Sequence, residues 1–161
     1  MIENQKASLV LWYNNSGNGC KGNTIINDGN WHHVTAVYNG TQSKLYIDGN
    51  LDKTCDTGTL VSRDGSSALT IGSGGNIASA YNFKGTIDEV AIWDEALTAT
   101  EITALYNSGS GLTASANSGG YSSSSNLQGY WRFNEGTGTS VADASSNSNT
   151  GTINGATWST D

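Results

Sequence analysis

Proline is absent from this sequence, and lysine and arginine together supply only seven residues. Without clustered cations there is no counterion-releasing surface, which excludes nucleic acid as a partner. A formal net charge of −7 disfavours an anionic membrane surface for the same reason. No run of eighteen apolar residues occurs, so membrane insertion is not expected. Charged residues are scarce too, at 13%. The start, Met1 to Gln5, carries no basic-then-apolar signal pattern, so export would rest on sequence outside this stretch. Two cysteines are too few for a zinc cage, and they lack C-x-x-C spacing. A Cys20–Cys55 disulfide would suit an extracytoplasmic protein; two unrelated buried thiols are the other reading.

What fills the chain instead is Gly, Ser, Thr and Asn, which favour turns and exposed strand faces over helices. Five Trp, seven Tyr and regular β-branched runs argue against disorder. A chain of 161 residues suffices for one domain with a sizeable core. Short alternating runs separated by Gly, Asn and Asp predict antiparallel β-structure. The first strand is expected at 8–13. Within 32–38, Val34, Ala36 and Tyr38 share one face, and His33, Thr35 and Val37 the other. Asn39-Gly40 then turns the chain into a returning strand at 44–48, which predicts a hairpin. Asp48-Gly49-Asn50 turns again into 51–55, and further strands are expected at 69–72 and 85–93.

One helix is well marked. Thr98 and Glu101 have capping-box spacing, and Leu97 and Ile102 stand where a hydrophobic staple would form. Ile102, Leu105 and Tyr106 share a face, and Gly109 is near the expected stop. Residues 109–126 read as a Gly/Ser-rich flexible linker. Structure should resume at 128–133 and again near 150–158. The open edges of such a sheet predict strand pairing into a homodimer.

Several ordered motifs carry a family resemblance. N-D-G-N-W-H-H-V-T-A-V-Y-N-G-T at 27–41 precedes K-L-Y-I-D-G at 44–49, and F-K-G-T-I-D-E-V-A-I-W-D-E-A-L-T-A-T-E-I-T-A-L-Y follows at 83–106. These resemble the second half of a laminin G-like jelly roll of the concanavalin A-like lectin/glucanase superfamily. G-Y-W-R-F-N-E-G-T-G-T-S-V-A-D-A-S-S-N-S-N-T-G-T-I-N-G-A-T-W at 129–158 resembles the opening of the same kind of domain. The family segments therefore stand in reversed order, as in a circular permutation or a tandem repeat cut mid-unit. The organisation expected is 1–108 as a C-terminal half, 109–126 as linker, and 127–161 as N-terminal strands completing the same domain. The fold class implied is all-β: a two-sheet antiparallel jelly-roll sandwich with one short helix.

The resemblance also implies function. Its members are mostly binding and adhesion modules, with glycan or protein ligands, and related domains often hold a structural Ca²⁺. Carried over, the ligands would be Asp88, Asp143, Asn147 and Asn149, although Ser146 and Ser148 stand where the family often has Gly. An Asx-rich surface turn is the competing reading of that loop. It is not an EF-hand, since its sixth residue is Ser148 rather than Gly and its twelfth is Asn154.

Glycosidases share this superfamily and need two convergent carboxylates. Asp88 and Glu89 are adjacent, so on a strand they would face opposite ways, and Asp94 and Glu95 fall at a strand-to-helix turn. The E-x-D-x-E pattern of laminarinase-like enzymes is missing. His32 and His33 diverge likewise and have no third His, so local hydrogen bonding of the Trp31–His33 stretch is the better reading. Sugar-stacking candidates are Trp12, Tyr13, Tyr81, Trp93, Tyr130, Trp131 and Trp158, with Tyr81 the first choice. The expected function is a secreted or cell-surface binding module for a glycan or extracellular protein. A structural spacer ranks second and a glycoside hydrolase third.

Overall fold

The computed structural model describes residues 2–3, 6–13, 16–59, 68–73 and 82–159. Antiparallel sheets and one short helix form a β-sandwich, as the resemblance implies. Strands β1 (Ile2–Glu3), β2 (Lys6–Tyr13) and β3 (Ser16–Ile25) form one sheet in that order. A second joins β4 (Val34–Tyr38), β5 (Gln42–Ile47) and β6 (Asn50–Asp56).

Turn chemistry shapes the second sheet. Asn39 Oδ1 accepts the backbone N–H groups of Thr41 and Gln42 at 3.1 and 2.8 Å, closing the β4–β5 turn. The β5–β6 turn places Asp48 at φ 51 and Gly49 at φ 75, the positive pair that a two-residue hairpin turn requires. Gly49 is also needed for space, because a Cβ there would lie 3.0 Å from the Tyr106 ring.

Strand β5 is covered on both sides, which explains the consecutive burial of Leu45, Tyr46 and Ile47. Ile47 packs with Ala7 and Ile26 of the neighbouring layer. Tyr46 and Val37 join the main core with Leu97, Ile102 and Leu105. On β4 the odd-numbered face turns inward, so Val37 is buried while Val34 and Ala36 are exposed. A disulfide links Cys20 of β3 to Cys55 of β6, with Cα atoms 5.6 Å apart, and so clamps the two sheets together.

Helix α1 (Ala99–Tyr106) begins where the capping box places it. Thr98 accepts from Glu101 N–H, and the Glu101 carboxylate accepts from Thr98 N–H at 3.0 Å. It stops at Asn107, which takes the left-handed conformation at φ 47 two residues before the expected Gly109. Asn tolerates this region because its short polar side chain bonds locally, here from Nδ2 to the Gly111 carbonyl at 3.2 Å.

Residues 109–126 are not a free coil. Ala114, Tyr121 and Ser123 are buried, and Leu112 packs against the main core. Leu112 N–H donates to the Leu105 carbonyl, and Tyr121 Oη donates to the Ala114 carbonyl at 2.8 Å. Three well-spaced apolar side chains outweigh the flexibility of the Gly and Ser between them. The chain then enters β8 (Leu127–Trp131), which pairs antiparallel with β7 (Val90–Trp93) in the register Val90–Trp131, Ala91–Tyr130 and Ile92–Gly129. Strands β9 (Ser140–Val141) and β10 (Gly151–Thr152) form a small ladder beside it. Residues 69–72 do not form the expected strand, and only 90–93 of the segment 85–93 does.

Candidate functional site

Three polar clusters could carry function, and each is built by short-range chemistry. The first follows β3. Asp28 Oδ1 accepts the Asn30 N–H at 2.9 Å, an Asx turn with Gly29 at φ 88. His32 bridges two carboxylates: Nε2 lies 3.2 Å from Asp28 Oδ1 and Nδ1 lies 2.9 Å from Asp48 Oδ2. Asp48 Oδ1 accepts the His33 N–H at 2.9 Å, and Asp48 N–H donates to the His33 carbonyl at 2.9 Å. The His32 pKa is raised, first by the Asp48 hydrogen bond and also by Asp28, against partial burial. Asp28 is held down at about 2, chiefly by the Asn30 hydrogen bonds and then by His32. His33 is the reverse case: burial lowers its pKa, and its Nδ1 is buried without a hydrogen-bond partner. Between these anchors stands Trp31, 64% exposed.

The second cluster lies at the start of β7. Glu89, at φ 51, accepts the Tyr130 hydroxyl on Oε2 and Arg132 Nε on Oε1 at 3.3 Å. Burial raises the Tyr130 pKa, and the Glu89 charge adds to it. Asp88 accepts the Glu89 N–H at 3.0 Å, and burial pushes its pKa up. Asp94 Oδ2 accepts Gln128 Nε2 at 3.0 Å.

The third is the loop 143–149. Asp143 Oδ1 accepts the N–H groups of Tyr130 and Ser145, each at 2.8 Å, and Oδ2 accepts Ser145 Oγ and Asn149 N–H, each at 2.8 Å. These bonds hold its carboxyl at about 2 despite the upward pull of burial, the largest single influence. Asn147 and Asn149 both donate through Nδ2 to the Gln128 carbonyl at 3.0 Å. Ser148 takes φ 56, the conformation for which the resemblance would supply Gly.

Asp143, Asn147 and Asn149 thus gather round β8, whereas Asp88 makes its hydrogen bond at the Glu89 amide. As arranged, this set does not fit Ca²⁺. Four N–H and O–H donors fill the carboxylate lone pairs of Asp143, and the two Asn present amide nitrogens inward. Among the described residues no three His, Cys, Asp or Glu side chains gather as metal donors.

Of the expected stacking aromatics, Tyr81 lies outside the described residues, as do the side chains of Trp12 and Tyr13. Tyr130 and Trp131 are buried. Trp93 is half-buried and donates to Tyr121 Oη at 2.8 Å, and half-buried Trp158 donates to the Gly138 carbonyl at 3.0 Å. Among the described Trp and Tyr side chains, Trp31, which is not among the expected stacking residues, is the exposed one. Its signal was the Asp28-Gly29-Asn30 turn immediately before it, which keeps Trp31 outside the strand that begins at Val34.

This sandwich, with its capped helix and disulfide-joined layers, belongs to the laminin G family of the concanavalin A-like lectin/glucanases superfamily, whose model matches residues 2–103. The chain is 32% identical over 94 residues to sushi, von Willebrand factor type A, EGF and pentraxin domain-containing protein 1 of Rattus norvegicus. The Mus musculus protein of the same name matches at the same identity; in each case 52% of this chain aligns with 3% of the relative. A crystal structure of a candidate carbohydrate-binding protein from Bacteroides ovatus ATCC 8483 superposes with TM-score 0.58 at 16% identity. That match covers 89% of this chain and 42% of the other, and shows a common fold. No described helix is long and apolar enough to cross a membrane.

Proposed function

We propose that the chain is a non-catalytic glycan-binding module of an extracellular protein. The observation that carries this reading is the commitment of its acidic side chains to the fold. Glu89 is held by Tyr130 and Arg132, Asp94 by Gln128, Asp143 by its own loop, and Glu101 by Thr98, Ser122 and Ser123. A glycosidase needs one carboxylic acid and one carboxylate facing each other across a sugar bond. These four carboxylates, among the described residues, serve as hydrogen-bond acceptors for backbone and side-chain donors.

The setting is supported by the Cys20–Cys55 disulfide and by relatives named for sushi, EGF and pentraxin domains. A glycan ligand is supported by the carbohydrate-binding description of the Bacteroides protein. A protein ligand is the second reading, and the homodimer expected from open strand edges has no support among the relatives. The test is a glycan microarray probed with the intact chain. Binding to a defined set of glycans without release of shorter products is expected. A blank array would overturn the glycan reading in favour of protein adhesion or a spacer.

A further inference from the structure

We infer that Trp31 is the stacking platform of the glycan site, with Asp28 and Asn30 of the preceding turn beside it in the chain, and that it takes neutral pyranose chains with equatorial hydroxyls. This rests on the glycan reading above and names the place and ligand class.

A Trp exposed to 64% needs a reason, because burying an indole is among the larger gains a fold can make. Trp31 has had little freedom to turn inward. The Asx bond from Asn30 to Asp28 fixes the chain before it. The His32 bridge between Asp28 and Asp48, and the paired His33–Asp48 bonds, fix the chain after it. The backbone that presents the indole is therefore ordered before any ligand arrives, so binding does not bear that ordering cost.

The surroundings select the occupant. A protein hot spot sets an aromatic among apolar neighbours that exclude water. Here the polar groups within three residues of Trp31 include the Asp28 carboxylate, the Asn30 amide and the His32 imidazole, which match hydroxyl groups. Pyranoses with equatorial hydroxyls present an apolar C–H face for the ring and a hydroxyl rim for Asp28 and Asn30. Charge narrows the class further. Two carboxylates at the turn and a net charge of −7 oppose uronates, sialylated and sulfated glycans. The Asp28 carboxyl, at about 2, remains an acceptor at every physiological pH.

The test titrates the intact chain by calorimetry with hexasaccharides of β-1,4-linked glucose, xylose and galactose, with a sulfated heparin hexasaccharide alongside. The variants are Trp31→Ala, Trp31→Phe and Asp28→Asn. We expect Trp31→Ala to weaken binding of the preferred neutral hexasaccharide at least tenfold with an unchanged melting temperature, and Trp31→Phe to retain part of it. Wild-type binding that survives Trp31→Ala undiminished would overturn this placement and leave the glycan reading standing. Failure of the wild type to bind any hexasaccharide or array glycan would overturn the reading itself. Preference for the heparin fragment would overturn the ligand class. Should Trp31→Ala unfold, the indole N–H resonances of the wild type decide: the Trp31 signal must shift during the neutral titration, and an unmoved signal refutes the platform.

Discussion

Replacing Glu101 should cost substantial stability at the helix, and the amount follows from its hydrogen bonds. The side chain is 7% exposed. Oε2 accepts Thr98 N–H and Oγ1 at 3.0 and 2.8 Å, while Oε1 accepts Ser122 N–H, Ser122 Oγ and Ser123 Oγ at 3.3, 3.0 and 2.5 Å. It therefore closes the capping box and pins the segment 122–123 to the start of the helix. Burial is the largest single influence on its pKa and acts upward. The donors from Ser123, Thr98 and Ser122 together outweigh it and hold the group at about 2, below the ordinary 4.5. That depression corresponds to about 3 kcal/mol of folded-state preference for the carboxylate. Counting instead the lost cap, about 1 kcal/mol, and the buried donors left without a charged acceptor gives about 3–5 kcal/mol for Glu101→Ala. In a domain of this size the midpoint should fall by about 6–20 °C. The pH dependence has a definite sign. A depressed pKa contributes stability that is present above 4.5 and is lost as pH falls from there toward 2. Calorimetric melts of wild type, Glu101→Ala and Glu101→Gln from pH 7 to pH 2 measure both effects. Wild type should destabilise through that acid window more steeply than either variant. A Glu101→Ala midpoint within 2 °C of wild type at pH 7 (about 1 kcal/mol or less), or parallel acid slopes, would refute the reasoning.

The remaining expectations are independent of that network. Changing Cys20 and Cys55 to Ser should cost about 3–4 kcal/mol in urea titrations, from loop-closure entropy over a separation of 35 residues. His32 should titrate above 6.5 in NMR, and the stability from its two carboxylate bonds should be full below that value and disappear as pH rises through the raised pKa. Ser148→Gly should stabilise the fold by about 0.5–1 kcal/mol in thermal melts, since Ser148 at φ 56 bears a left-handed strain that glycine lacks. Calcium is tested by melting in chelator and in millimolar Ca²⁺: with Asp143 saturated by chain donors, equal midpoints are expected, and a rise with Ca²⁺ would show that the loop opens to bind it.

Much of the fold was legible where residues act on near neighbours. Asn39-Gly40 and Asp48-Gly49 marked both turns of the second sheet, and Thr98 with Glu101 marked the helix start. What was not legible depended on distant packing. Composition made 109–126 look like a coil, because nothing local reveals that Tyr121 would reach Trp93 and that Ser122 and Ser123 would find Glu101. Alternation in 32–38 defined two faces without saying that the one carrying Val37 goes inward. The loop 143–149 showed oxygen-bearing residues, yet only the fold reveals that Asp143 is already saturated by N–H and O–H donors. Trp31 was hidden for a related reason: an indole beside a strand reads as core until the turn that carries it is seen to be fixed on both sides.

The most direct measurement of the central claim is an isothermal titration of the intact chain with an oligosaccharide selected on the glycan array. A binding module gives a saturable heat with one site per chain that returns to baseline after each injection. Absence of any saturable heat, or a heat flow that continues after mixing because the sugar is being hydrolysed, would contradict it.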